Sequence, residues 1–208
     1  LFEAFGTCCH VAAMAPDSFN SFPLRNARVH EVFGPSAFGF AAIVAAQMAG
    51  DFMWVREAWR GDILHPVGLA TICGPEKLLA AQTANQTDSL AVAEEALKDG
   101  ALSLVVIEIT RPLDLREGRR LQLAAKAGNT VGLCLIPEGM GSNAAETRWR
   151  ATPVFDAERE GSTLMRWEII KNKSGTVGAW DVRWDRENRR LHVVSPPVQR
   201  AGSQDMAG

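Results

Sequence analysis

The sequence predicts an α/β domain: a largely parallel sheet flanked by helices, closed by antiparallel C-terminal strands. Three observations carry this. From Arg28 to Ile136, short apolar runs alternate with segments of helical period, the pattern of βαβ units. The apolar runs are nearly continuous, as suits strands covered on both faces. After Arg150 the pattern changes to strands separated by Gly, Asn and Asp turns, with apolar residues alternating as in Trp167, Ile169 and in Trp180, Val182, Trp184. A chain of 208 residues is long enough for one domain with a substantial core. Right-handed crossovers then place helices on both faces.

Residues 1–27 read as an irregular lead-in, because Pro16, Asp17, Ser18, Asn20, Ser21 and Pro23 are loop formers; Phe19, Phe22 and Leu24 are its candidates for packing. Val29, Val32 and Phe33 start a strand that Gly34-Pro35 stops. The helix that follows has Gln47 as its only polar residue between Ala41 and Ala49, so it must be buried on several sides. Phe52 to Val55 is a strand, and residues 57–76 a loop or short helix. Leu78 to Gln82 is a short strand before a helix capped by Thr87 or Asp88. That helix sets Leu90, Ala93 and Leu97 against Glu94, Glu95 and Lys98, and ends at Gly100. Leu102 to Glu108 is the most strand-like run. Asp114 and Glu117 resemble a capping box for a helix through Leu121, Ala124 and Ala125, closed by Gly128.

A buried strand spans Val131 to Ile136, followed by a loop at Gly139–Asn143 and a short helix from Ala144 to Arg150. Strands are expected at Leu164–Ile170, Ala179–Trp184 and Leu191–Val194, and a polar tail from Pro196 to residue 208. The main domain is thus 28–195, with no internal repeat.

The net charge of −2 hides an asymmetry: residues 1–110 hold 6 Lys/Arg and 12 Asp/Glu, and residues 111–208 hold 16 and 12. A basic half suits nucleic acid or an acidic protein surface, or it simply places Arg116, Arg119, Arg120, Arg186, Arg189 and Arg190 on solvated faces. The excess falls short of the basic stripe of a dedicated DNA binder. Cys8, Cys9, Cys73 and Cys134 fit no zinc spacing and read as reduced thiols of a cytoplasmic protein. His10, His30, His65 and His192 are scattered, with no second ligand at metal spacing. No apolar run has membrane-span length and no signal peptide with a basic start is visible, so no membrane association is expected; a segment preceding Leu1 stays open.

The stretch RVHEVFGPSAFGFAAIVAAQM keeps the frame of a phosphate-binding P-loop without its chemistry. Gly34 and Gly39 have the required spacing, but Phe40 takes the place of the lysine that meets the outer phosphates, and Ala41 that of the hydroxyl that holds Mg²⁺. An ordinary strand-turn-helix and a decayed nucleotide site both fit; in the second, the backbone loop survives and the nucleotide site does not. Glu108, ending an apolar strand, has a Walker-B-like place or is a plain strand-end carboxylate. Ser36 lacks a hydrolase elbow, and the Trp-rich strands read as core rather than a base-stacking platform. No catalytic residue, metal site or cofactor is expected.

These stretches resemble bacterial RecA recombinases along roughly residues 24–185. RVHEVFGPSAFGFAA looks like the RecA P-loop segment with its nucleotide-contacting residues gone. LLAAQTANQTDSLAVAEEALKDGALSLVVIEI resembles the run into the Walker B strand, with Glu108 in place of Asp. WEIIKNKSGTVGAWD resembles the RecA segment whose Lys-Asn-Lys triplet reaches a neighbouring protomer's nucleotide; here it is Lys171, Asn172 and Lys173. Pro137 replaces a γ-phosphate-sensing Gln, and the segment after Glu108 leaves little room for a DNA-binding loop. A RecA-like P-loop core stripped in this way is similar to the ImuA family. That resemblance implies a non-enzymatic accessory protein of DNA-damage-induced (SOS) translesion synthesis, cytoplasmic and associated with the nucleoid after damage. It implies docking on a RecA filament, an ImuB-type inactive Y-family polymerase and an error-prone C-family polymerase, with Lys171, Asn172 and Lys173 at the interface and DNA touched only weakly. The alternatives are a residual ATP-binding recombination mediator and a SulA-like division inhibitor.

Overall fold

The computed structural model describes residues 24–62, 64–157, 162–173, 175 and 177–194. The expectations for Cys8, Cys9, His10, Phe19, Phe22 and the tail from Pro196 lie outside these residues.

The chain forms β1 (Val29–Phe33), α1 (Ala37–Gln47), β2 (Phe52–Glu57), α2 (Pro66–Ala70), β3 (Leu78–Thr83), α3 (Gln86–Asp99), β4 (Leu104–Glu108), α4 (Leu115–Gly128) and β5 (Val131–Leu135). Then come β6 (Thr147–Pro153), β7 (Leu164–Asn172), β8 (Gly178–Asp185) and β9 (Arg190–Val193). All described strands join one sheet in the order β3-β2-β4-β5-β1-β6-β7-β8-β9. β3 through β6 run parallel, and β7, β8 and β9 continue antiparallel. This is the mixed architecture that the change of pattern predicts.

One segment differs in kind. The expected helix from Ala144 to Arg150 is instead a turn through Ala144 leading into β6 at Thr147, which pairs in parallel with Glu31, Val32 and Phe33 of β1. Trp149 and Ala151 alternate inward while Arg148 and Arg150 are half-exposed. That period of two decides for a strand, and the central place beside β1 supplies its hydrogen bonds. Three boundaries also move. α3 starts at Gln86 because Asn85, not Thr87 or Asp88, is the cap, accepting from the Asp88 amide at 3.0 Å. α4 has the predicted box between Asp114 and Glu117, but the left-handed residue that ends it is Asn129 rather than Gly128. α1 starts at Ala37, within the expected turn.

Two cores flank the sheet. On one face α1 packs with Phe52, Trp54, Trp149, Trp167 and Trp184; on the other, α3 and α4 cover Val29, Phe33, Val105 and Ile107. The face of β6–β8 opposite α1 carries cross-strand ion pairs instead: Arg166 to Asp181 at 2.7 Å, Arg150 to Glu168 at 3.4 Å, and Arg183 to Asp156 at 2.7 Å. Cys73 and Cys134 are buried free thiols, and burial pushes the Cys73 thiol up to about 11. Among the described residues no helix is long and apolar enough to cross a membrane.

His30 is fully buried in β1, with Nδ1 2.7 Å from the Thr147 hydroxyl and Nε2 3.1 Å from the Arg25 carbonyl. It thereby ties residues 25–28 to β6. Burial lowers its pKa to about 4. The native state therefore resists a proton that the unfolded chain takes up near 6.5, so stability falls as pH drops from about 6.5 towards about 4. Urea unfolding is expected to show a loss of about 2 kcal/mol between pH 7.5 and 5 from this group, and His30→Asn is expected to flatten that part of the profile.

Candidate functional site at the carboxyl edge of the sheet

Parallel α/β sheets bind ligands beyond the carboxyl ends of their strands. Here that edge gathers Gly34–Ser36 after β1, Ala58–Asp62 after β2, Ile109–Asp114 after β4, and the loop after β5. β5 lies between β1 and β4, so Glu108 sits one strand removed from the β1–α1 turn.

The turn between β1 and α1 is tight. Gly34 has φ +102°, and a Cβ there would lie 2.5 Å from the Ala151 carbonyl oxygen, so only glycine fits. The Ser36 amide donates to that same carbonyl at 3.1 Å, and the Ala37 amide to the Gly34 carbonyl at 3.1 Å. An anion cradle needs amides turned outward to the ligand; these two are used within the chain. Because α1 begins at Ala37, Gly39 lies inside the helix rather than at the mouth of a phosphate loop.

Phe40 and Ala41 are fully buried. The Phe40 ring centroid is 5.5 Å from Trp149 and 4.6 Å from Trp167. The position that would carry a phosphate-binding lysine thus points into the aromatic core. Phe38, half-exposed, stacks on Trp54 at 5.7 Å.

Glu108 is also buried, and the chain surrounds it with its own cations. Its Oε1 accepts from Trp54 Nε1 at 2.8 Å and lies 3.5 Å from Arg56 Nε; its Oε2 lies 3.2 Å from Arg60 Nε. Both guanidinium groups also reach Asp62, each at 3.6 Å. A strand-end acid in a nucleotide enzyme faces a hydrated metal; here two arginines from β2 and its following loop take that role. Among the described residues no cluster of His, Cys, Asp or Glu is arranged to hold a metal. Sequence reasoning does not single out Arg56 and Arg60. The available signal is the charged pair Arg56-Glu57 closing an otherwise apolar strand. Glu57 is buried too, accepting from the Thr110 hydroxyl and from Trp59 Nε1 at 2.5 Å, which fixes an exposed Trp59 ring at the rim.

The structure puts Lys171, Asn172 and Lys173 elsewhere, at the end of β7 and just past it. The Lys171 ammonium donates to the Ser142 and Asn143 carbonyls, both at 3.0 Å, and Lys173 to the Ala144 carbonyl at 2.7 Å. Asn172 pairs with Thr147 in the β6–β7 ladder. Partial burial, then the neighbouring charges of Arg148 and Lys173, lower the Lys171 pKa. The same loop is held from beneath by Glu31, buried on β1. Glu31 accepts from the Ser142 amide at 2.7 Å and pairs with Arg148 Nε at 2.7 Å. A Cβ on Gly141 would overlap the Arg148 guanidinium. The lysines therefore strap down the 141–144 loop. Glu31 is likewise not anticipated; a carboxylate inside a central apolar strand is its signal.

No protein-family model matches the chain, and no curated protein matches it. Among solved structures it is similar to the crystal structure of the RadB recombinase, with a TM-score of 0.57 and 14% identity, over 81% of this chain and 91% of that one. The fold is RecA-like. At its carboxyl edge Phe40 is turned away from the β1–α1 turn into the core, and Arg56 and Arg60 fill the space around Glu108.

Two variants probe this filling. Phe40→Ala is expected to cost about 3–5 kcal/mol in urea unfolding, as for truncating a buried ring. Glu108→Ala leaves two guanidinium groups without their buried counter-charge and is expected to cost a similar ~3–5 kcal/mol. A Glu108 that served only a ligand would leave stability unchanged.

Proposed function

We propose that this chain is a non-enzymatic RecA-like accessory protein that works by docking, in DNA-damage-induced translesion synthesis. The observation that carries the reading is the altered edge: a RecA-like scaffold in which position 40 is an aromatic residue turned into the core and the strand-end Glu108 is paired with the chain's own Arg56 and Arg60. A fold kept without its ligand site serves as a surface. The likeness of its motifs to the ImuA family supplies the context. Its partners are then a RecA filament, an ImuB-type inactive Y-family polymerase and an error-prone C-family polymerase, with cytoplasmic location.

The competing reading, an ATP-binding recombination mediator, differs at this same edge. Calorimetric titration with ATP and Mg²⁺ is expected to show no binding in the micromolar range; micromolar affinity would overturn the docking-only reading. Phe40→Lys with Ala41→Thr is expected to lower the melting temperature rather than to restore binding, since position 40 lies in the core. A SulA-like division inhibitor is separated from both by its target, the division GTPase rather than RecA.

The Lys171–Lys173 segment is the proposed contact with a RecA filament. Its ammonium groups must exchange the 142–144 carbonyls for the partner's phosphate. Co-sedimentation with RecA on single-stranded DNA and a non-hydrolysable ATP analogue is expected to weaken about tenfold or more for Lys171→Ala/Lys173→Ala, within the range for interfacial charges. Binding as tight as wild type by the folded double variant would remove this segment as the dock. Binding to bare single strands is expected to be weak and to fall steeply with salt.

A further inference from the structure

α3 and α4 lie side by side on one face of the sheet, each crossing between parallel strands, so they run in the same direction. Their outer surfaces are oppositely charged. Outward from α3 point Asp88, Glu95 and Asp99, with Lys98 the one cation; outward from α4 point Arg116, Arg119 and Lys126, around an exposed Leu123. Arg120 and Glu94 already bridge the two helices at 2.6 Å. Among the described residues, Arg116, Arg119, Lys126, Glu95 and Asp99 have no ion-pair partner.

We infer that this face pairs with the same face of a second copy of the chain, α3 of each copy lying on α4 of the other. The argument is one of symmetry and charge. A two-fold axis parallel to the helices and midway between them is the operation that exchanges the α3 and α4 positions while keeping helix direction. Each acidic surface then meets a basic one, twice. The Arg120–Glu94 bridge makes those two positions level. Glu95 of one copy therefore lies level with the Arg119–Leu123 turn of the other, Asp99 with Lys126, and Asp88 close to Arg116. Leu123, 67% exposed, enters between the helices as the apolar contact. An acidic protein or a nucleic acid would use the α4 surface alone and leave α3 repelled; a second copy uses both.

The test is a charge swap in the full chain. Wild type is expected to be a dimer by sedimentation equilibrium at low salt, with a dissociation constant that rises with salt. Glu95→Arg alone and Arg119→Glu alone are each expected to raise that constant about tenfold or more, because each reversal occurs twice in a two-fold interface. An equal mixture of the two variants is expected to recover the dimer. In that heterodimer the two reversed positions face each other in one α3–α4 contact, arginine from the first variant against glutamate from the second. The other contact keeps native Glu95 against native Arg119. Circular dichroism of each variant confirms that these exposed positions leave the fold intact. A monomeric wild type overturns the proposal. So does a dimer untouched by either reversal, sensitivity to Arg119→Glu alone, or a mixture that stays monomeric.

Discussion

The ring of Phe40 fastens α1 to the junction between the two halves of the sheet. It projects from α1, the helix that crosses from the parallel half, and packs on Trp149 of β6 and Trp167 of β7, where the sheet turns antiparallel. Trp149 in turn lies 6.1 Å from Trp180 of β8. Among the described residues no helix lies between the antiparallel strands, and their apolar cover comes from α1 with Leu69 and Cys73. The residue type that removes phosphate chemistry from position 40 is the same one that completes this core. A lysine there would place a charge against the indoles of Trp149 and Trp167, where burial costs it dearly.

The edge around Glu108 follows similar logic. A buried carboxylate needs a counter-charge, and β2 delivers one through Arg56 and Arg60 in fixed geometry. The bond from Trp54 orients the carboxylate, and Asp62 balances the surplus positive charge. The cluster thereby fixes the side chains at the ends of β2 and β4 against one another.

Most of the fold is legible in the sequence because its strands are apolar and α3 and α4 are bounded by strong caps. The Asp114–Glu117 box and the left-handed Gly100 are local chemistry, read without tertiary context. The segment 144–150 reads as a helix because Ala144, Ala145 and Glu146 favour that state locally; pairing with β1 outweighs that preference. At the site, the loss of phosphate and metal ligands at Phe40 and Ala41 is visible as residue types. What takes their place is not, since Arg56, Arg60 and Trp54 meet Glu108 only through strand order. Nor is the inward turn of Lys171 and Lys173, which depends on where the loop after β5 comes to rest.

Among the described residues no helix covers the face of β6, β7 and β8 opposite α1, which bears on how the molecule behaves in a crowded solution. A wide sheet surface without helices is an invitation to stack on another sheet, layer upon layer. Here each arginine on that surface meets a carboxylate across a strand or from the adjoining loop: Arg166 with Asp181, Arg150 with Glu168, Arg183 with Asp156. Any neighbour that came to lie flat on it would have to strip water from this lattice of fixed charges and offer nothing in return. Among the described residues that face is therefore sealed by the pairing of its own ions.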